Sequence, residues 1–203
     1  MRLILIRHGE TPANAQGIIS ALIPGPGLTG LGAEQAAALP ERLNGRDIDA
    51  LFVSSMIRTS QTAAPLAANR GLIPVELEGL CEISAGSLEG RSDQDAYTQY
   101  RAVLSAWLRG ETEVSMPGSG DGDPFFSRYD DAVAKISASG AGTAVAVSHA
   151  GAMRVWSGSR CANVDPAFVA EHPLGNTAII ELEGSPAEGW TCLDWAGTSL
   201  SRG

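Results

Sequence analysis

Arg2-Leu3-Ile4-Leu5-Ile6-Arg7-His8-Gly9-Glu10-Thr11 is the stretch that decides the fold. Leu3 to Ile6 form a short, continuous apolar run that stops abruptly at charged residues and a glycine. A strand buried on both faces reads this way, and such strands belong to parallel sheets covered by helices. Two more runs repeat the pattern: Ala50–Val53 stops at Ser54-Ser55, and Thr143–Val147 stops at Ser148-His149. Residues 73–77 read as a weaker strand, set off by Gly71 and Pro74.

Helical spacing fills the intervals. Thr29 is the expected N-cap of a helix carrying Leu31, Gln35, Ala38, Leu39 and Leu43, stopped by Asn44-Gly45. Residues 57–69 predict a helix kinked or interrupted at Pro65. Ser92-Asp93-Gln94-Asp95 has the form of a capping box with Asp in place of Glu. It opens a helix whose apolar side is Ala96, Tyr100, Val103, Leu104, Trp107 and Leu108, ended by Gly110. Asp123-Pro124 caps another helix, with Phe125, Tyr129, Ala132, Val133 and Ile136 on one face. A short helix over 151–161 and β patterns at 178–182 and 190–193 close the chain. Strands alternating with helices predict an α/β fold, a three-layer sandwich around a mainly parallel central sheet.

At 203 residues a single domain over 1–203 is expected, with a small helical, cap-like insertion at about 83–140. Apolar residues make up 44%, enough for a core, while aromatics are only 5%, so the core rests on Ala, Val, Leu and Ile. The formal charge of −9 argues against general nucleic-acid binding, which needs a basic stripe, and against docking on anionic lipid. Cys81, Cys161 and Cys192 are widely spaced, with no CxxC, and read as buried thiols in a reducing compartment. The N-terminal apolar run is too short for a secretory leader or a membrane span, so a cytoplasmic protein is expected. The four tryptophans fit either a core or an interface, so the oligomeric state is open, a homodimer included.

Ligands of open α/β sheets bind beyond the C-terminal strand ends. Here those ends carry Arg7 and His8, then Ser54, Ser55 and Arg58, then Ser148 and His149. Two of the three histidines and two arginines therefore share one sheet edge in an otherwise acidic chain. Arginine is the planar, permanently charged donor suited to phosphate or carboxylate. Taken singly, each residue has a plainer reading as a structural histidine or a paired surface arginine. Their joint placement favours an anion site. Neither histidine belongs to an HxH or HxxxH pair, and no metal is expected. The third, His172, precedes Pro173 and reads as a surface or loop residue.

Arg7-His8-Gly9-Glu10-Thr11 resembles the signature of the histidine phosphatase superfamily, the phosphoglycerate mutase-like family. The resemblance runs through most of the chain. It continues in Asn14, in Leu28-Thr29-x-x-Gly32-x-x-Gln35-Ala36 and in Ser54-Ser55-x-x-Arg58-x-x-x-Thr62-Ala63. It resumes in Leu80-x-Glu82-x-x-x-Gly86-x-x-Glu89-Gly90 and Ser148-His149-x-Gly151-x-x-Arg154. The resemblance implies a phosphoglycerate mutase-like fold and two-step phosphoryl transfer without metal or cofactor. His8 would be the nucleophile, and Arg7, Arg58 and a protonated His149 would grip the phosphoryl oxygens. Glu82 would protonate the leaving oxygen and then deprotonate water. Asn14, Ser20 and Ala150 complete the expected phosphate- and substrate-binding set. Glu89, between Gly86 and Gly90, reads as structural.

Two segments depart from the family pattern. Residues 15–27 are apolar and rich in Pro and Gly, with Ser20 the main polar candidate, and Met116–Asp123 only distantly echoes the family's Gly-Glu-Ser. Both concern the pocket wall and leave the substrate open. The expected activity is hydrolysis of a small phosphorylated metabolite, the partner being a small-molecule phosphate ester. Glu82 and His149 lie 67 positions apart, short for the mutases of the family, so a cofactor-dependent phosphoglycerate mutase is the alternative. A non-catalytic phosphate-binding or regulatory domain is a third reading, disfavoured because binding alone needs neither His8 nor Glu82. A phosphoprotein phosphatase is a fourth, disfavoured because its simplest kinds lack the acid segment.

Overall fold

The computed structural model describes residues 1–201. β1 (Arg2–Arg7) lies at the centre of a seven-stranded sheet, between β4 (Thr143–Ser148) and β5 (Ile179–Ser185). β4 is flanked in turn by β2 (Ala50–Val53) and the edge strand β3 (Val75–Glu76), and these four run parallel. On the other side the sheet continues antiparallel through β5, β6 (Gly189–Trp195) and β7 (Thr198–Ser199). The expected parallel sheet is thus the core of a mixed one. The predicted strand at 73–77 shrinks to two residues, because both of its side chains are exposed and give it no face to bury.

Alternation along the strands sorts the core into two layers. Ile4, Ile6, Leu51, Val53, Val145 and Val147 point to one face, where they meet Leu39, Leu43, Ala63 and Leu66. Those residues come from α3 (Leu39–Arg42) with its following turn and from α4 (Ile57–Arg70), and α2 (Gly30–Ala37) packs against α4. The helix expected from Thr29 to Leu43 is split at Ala38, two residues before Pro40, whose ring cannot continue a helix. Pro65, by contrast, is accommodated inside an α4 that runs unbroken to its left-handed Gly71 cap.

The opposite face is aromatic. Leu3, Leu5, Ala144 and Ala146 meet Tyr129, Val133, Ile136, Met153 and Trp156. These come from α6 (Asp123–Ala138) and α7 (Ala150–Arg160), with α5 (Gln94–Leu108) packed on α7 and α8 (Pro166–Glu171) beside both α5 and α7. The alanines on β4 leave room for these large rings, and Tyr129 and Trp156 pack with centroids 5.3 Å apart. α5 is capped by Asp93, not Ser92, with Asp93 accepting from the Ala96 N–H at 3.0 Å. Two short helices lie outside the predicted set: α1 (Pro12–Ala15) and α8. Each is introduced by a Thr-Pro or Asp-Pro cap and is too short to show a period.

Candidate active site

The register of β1 on β4 pairs Arg7 with Ser148, so the next residues, His8 and His149, become neighbours. Their rings lie 5.2 Å apart between centroids. The His8 N–H donates to the Ser148 carbonyl at 3.0 Å, and the His8 carbonyl accepts from Thr177 N–H and Asn176 Nδ2. His8 is therefore fixed through its backbone on both sides.

The loop after β1 is held by the next motif in the chain. Gly9 and Gly32 pack backbone to backbone, and a Cβ on Gly9 would lie 2.6 Å from the Gly32 carbonyl oxygen. Gln35 Oε1 accepts from the Glu10 N–H at 2.8 Å, and Thr62 Oγ1 accepts from the Gly9 N–H at 2.9 Å. Gly32, Gln35 and Thr62 thus belong to the site by supporting this loop. Thr11 caps α1 in a reciprocal bond with Asn14. Asn14 Oδ1 takes donors from Thr11 and Asn176, which leaves the Asn14 amide NH2 for a ligand.

His8 Nδ1 lies 2.7 Å from the Gly9 carbonyl. A carbonyl only accepts, so Nδ1 carries the proton and Nε2 keeps its lone pair whenever the ring is neutral. Neutrality is strongly favoured: burial, then the positive charge of Arg58, bring the His8 pKa down to about 3.

Arg58 is 2% exposed. It donates from Nε to His149 Nδ1 at 3.2 Å and from Nη2 to the Ser20 carbonyl at 3.2 Å. Arg7 donates from Nη1 to the Leu174 carbonyl at 2.7 Å. Arg7 Nε and Arg58 Nη1 are buried without a protein partner. Buried donors of this kind are normally satisfied, and an oxyanion would satisfy both.

The resemblance implies a protonated His149, whereas the surroundings of the ring favour its neutral form. His149 is fully buried, accepts from Arg58 at Nδ1 and pairs through Nε2 with Ser54 Oγ at 2.8 Å. Burial, with His8 and Arg58 beside it, pushes its pKa well below the usual histidine value. Both ring nitrogens are engaged, so the side chain orients Arg58 from behind. Sequence alone could not show that Arg58 donates to this fully buried ring.

Glu82 is held at the N-terminus of α7. Its Oε1 accepts from Ile83 and Ala152 N–H groups, and its Oε2 from Gly151 N–H at 3.0 Å. Residue 151 must be small, because a Cβ there would lie 2.8 Å from Glu82 Oε1. The segment carrying Glu82 is clamped by Arg128, which donates to the carbonyls of Gly79, Cys81 and Glu82 at 2.7–2.8 Å. Nothing in the sequence signalled Arg128. Glu89 pins the apolar loop by accepting from the Ala21 N–H at 2.8 Å, a structural role.

A cavity of about 340 Å³ gathers Arg7, His8, Asn14, Ser20, Arg58, Glu82 and Ala150 on its walls. His149 stands behind them. The same cavity is lined by Tyr97 and Arg101, absent from the sequence expectations, by Tyr100, expected on the apolar side of α5, and by Arg154, the last residue of the Ser148-His149 motif. The arrangement offers a neutral nucleophilic nitrogen, one buried and one half-buried arginine, and a carboxyl group around one space. Among the described residues no three His, Cys, Asp or Glu side chains are grouped as metal ligands would be, and no helix is long and apolar enough to cross a membrane.

A family model of the histidine phosphatase superfamily, branch 1, matches residues 3–198. The chain belongs to this superfamily. It is 38% identical over 208 residues to a PE-PGRS family protein of Mycobacterium tuberculosis. That match covers 95% of this chain and 36% of the relative, so the chain spans about a third of the relative's length. It is 36% identical over 138 residues to the adenosylcobalamin/alpha-ribazole phosphatase of Escherichia coli, covering 68% of this chain and 67% of that protein. Among solved structures, a mycobacterial glucosyl-3-phosphoglycerate phosphatase in complex with VO3 superposes with a TM-score of 0.80 at 24% identity. That alignment covers 97% of this chain and 99% of the other, and establishes the shared fold.

Proposed function

We propose that the protein is a metal-independent phosphomonoesterase that hydrolyses a small phosphorylated metabolite through a phosphohistidine on His8. The observation that carries this reading is the His8 ring. It is buried and held neutral, its Nδ1–H is locked on the Gly9 carbonyl, and Nε2 has a free lone pair near two arginines that each keep a buried, unpartnered donor. A merely phosphate-binding site would gain more from a charged imidazole. Relatives named as phosphatases of small metabolites support the same class.

In the first step His8 Nε2 attacks phosphorus, the P–O ester bond breaks, and Glu82 gives its proton to the departing alkoxide. Arg7 and Arg58 stabilise the charge spread over the equatorial oxygens. His149 acts as a positioning residue that fixes Arg58, and Asn14 adds an N–H donor. In the second step Glu82, now ionised, takes a proton from water as the water oxygen attacks phosphorus. The P–N bond breaks and neutral His8 is restored. Glu82 thus gives one proton to the alcohol and takes one back from water, so the cycle closes. Tyr97, Tyr100, Arg101 and Leu104 of α5 line the cavity, which supports a cap-like role for the stretch at about 83–140. Three buried free thiols fit a reducing, cytoplasmic setting.

The test is a phosphate-release assay in the presence of chelator, against an aryl phosphate and a panel of phosphorylated sugars, glycerates, amino acids and nucleotides. Turnover of at least one ester is expected. Turnover of none, by protein whose fold is verified, would overturn the reading. Glycerate phosphate isomerisation that depends on a bisphosphate primer would replace it with a mutase.

A further inference from the structure

The catalytic cavity does not end at the leaving-group side. Arg101, Leu104, Arg154 and Pro173 line it and also line a second cavity of about 480 Å³ enclosed by α5, α7 and α8. The two spaces therefore share a wall, and the shared wall carries two arginines. Arg154 anchors one guanidinium nitrogen on the Val169 carbonyl at 2.7 Å, while its Nε is buried without a partner. Arg101 leans on the Tyr97 ring, 5.8 Å from its centroid. Among the described residues no carboxylate pairs with either arginine, whereas nearby Arg109 is held bidentately by Glu111. Arg101 and Arg154 repel each other, with the Glu82 carboxylate offsetting part of that repulsion at Arg154, and an oxyanion bound between the two guanidinium groups would be attracted to both. Beyond them the second cavity carries Leu104, Leu108, Pro166, Ala167 and Ala170 on its walls, with Ser105 and the Glu111-paired Arg109 beside them.

Resting on the phosphatase reading, we propose that Arg101 and Arg154 select the substrate. The leaving alcohol carries a second oxyanion, bound between these two arginines, followed by an apolar group seated in the chamber between α5, α7 and α8. The scissile phosphate is held at one end of the molecule by Arg7, Arg58 and Asn14. The second oxyanion and apolar group are read at the other end by side chains of three helices. A carboxylate and a second phosphate share this recognition chemistry.

The proposal is tested with esters that differ by one feature. N-acetyl-O-phosphoserine has a carboxylate and no long apolar tail, N-hexanoyl-phosphoethanolamine has a tail and no carboxylate, and N-hexanoyl-O-phosphoserine has both. A phosphonate in place of the carboxylate separates the two oxyanion sources. N-hexanoyl-O-phosphoserine is expected to have the highest kcat/KM of the three, with loss of its carboxylate lowering kcat/KM about tenfold or more, mainly through KM. In Arg101→Gln and Arg154→Met the ratio of kcat/KM with and without the carboxylate should collapse toward one, and Arg101→Lys should restore part of it. Arg101→Glu should invert the ratio in favour of the ester without the carboxylate. Ala170→Phe should remove the advantage of the hexanoyl tail and leave the carboxylate ratio in place. Arg101 is exposed, so its variants keep the test valid even if Arg154→Met folds poorly. A wild-type ratio near one, or a ratio that none of the arginine variants moves, overturns the proposal. Absence of turnover on these esters and on phenyl phosphate alike would instead overturn the phosphatase reading, and this proposal with it.

Discussion

The two ends of the cavity are built differently. At the inner end, His8 stands at the tip of β1, tied to β4 through the Ser148 carbonyl, and Glu82 is held by three backbone N–H groups. Its reactive groups are placed by the sheet, by α7 and by glycines whose replacement would drive a Cβ into backbone or into Glu82. At the outer wall, Tyr97, Arg101 and Arg154 are long side chains on helix surfaces, with few bonds holding them. The difference teaches where change is tolerated. The chemistry is set by backbone that cannot move without disturbing the sheet, whereas selectivity is set by side chains that can be exchanged one at a time.

The comparison breaks most directly at His8. His8→Ala should remove the nucleophile and reduce kcat by at least about 10³-fold with the fold intact, measured by phosphate release and circular dichroism. Arg58→Ala should cost roughly 10²- to 10³-fold in kcat/KM, by removing a donor aimed at the phosphoryl group. It also removes a positive charge beside His149, so the His149 pKa should rise, which NMR titration checks. Glu82→Gln separates the two steps. It should lower kcat/KM for alkyl esters about 10²-fold and for nitrophenyl phosphate far less, because nitrophenolate leaves without a proton. Water attack should nevertheless slow, so nitrophenol should appear in a stoichiometric burst. Equal losses of kcat/KM on both esters, without a burst, would remove Glu82 from its role.

A smaller effect concerns stability. Gly32→Ala would press a Cβ onto the Glu10 backbone and should destabilise the fold by about 1–3 kcal/mol, read as a lower urea midpoint. pH sharpens the same point. His8 has a folded pKa of about 3 against an ordinary value of 6.5, and His149 is shifted in the same direction. Below pH 6.5 the unfolded chain binds more protons than the folded one at these sites, so stability falls as the pH falls through this window. The urea midpoint should drop between about pH 7 and pH 4.5, and drop less steeply in His8→Gln. An identical slope in that variant would mean that His8 is not held neutral by burial.

Legibility in the sequence follows the same division. The inner end was readable because a strand end has a fixed place in a parallel sheet. Arg7, His8, Ser54, Ser148 and His149 could be set at one edge from three apolar runs alone. Glu82, Asn14, Ser20 and Ala150 entered through the family resemblance, and all four line the cavity. The outer wall was not readable, because a helix pattern says which face is buried and not which exposed arginine leans over a cavity. Arg128 was invisible for another reason: its targets are carbonyl oxygens, which every residue possesses. The charge state of His149 also escaped, since it depends on burial and on arginines brought near it only by the fold. In the fold itself, the short α1 and α8 and the break at Ala38 were missed, since each is decided by a proline rather than by periodicity.

The central claim is that His8 Nε2 carries the phosphoryl group between substrate and water. The measurement is to quench turnover of nitrophenyl phosphate by the Glu82→Gln protein, digest it under alkaline conditions that preserve phosphohistidine, and map the phosphate by mass spectrometry. The account predicts phosphate on His8, in an amount matching the burst, and none in a His8→Ala, Glu82→Gln double variant. Product formation with no phosphate on His8 at any quench time, or with the label on another residue, would contradict it.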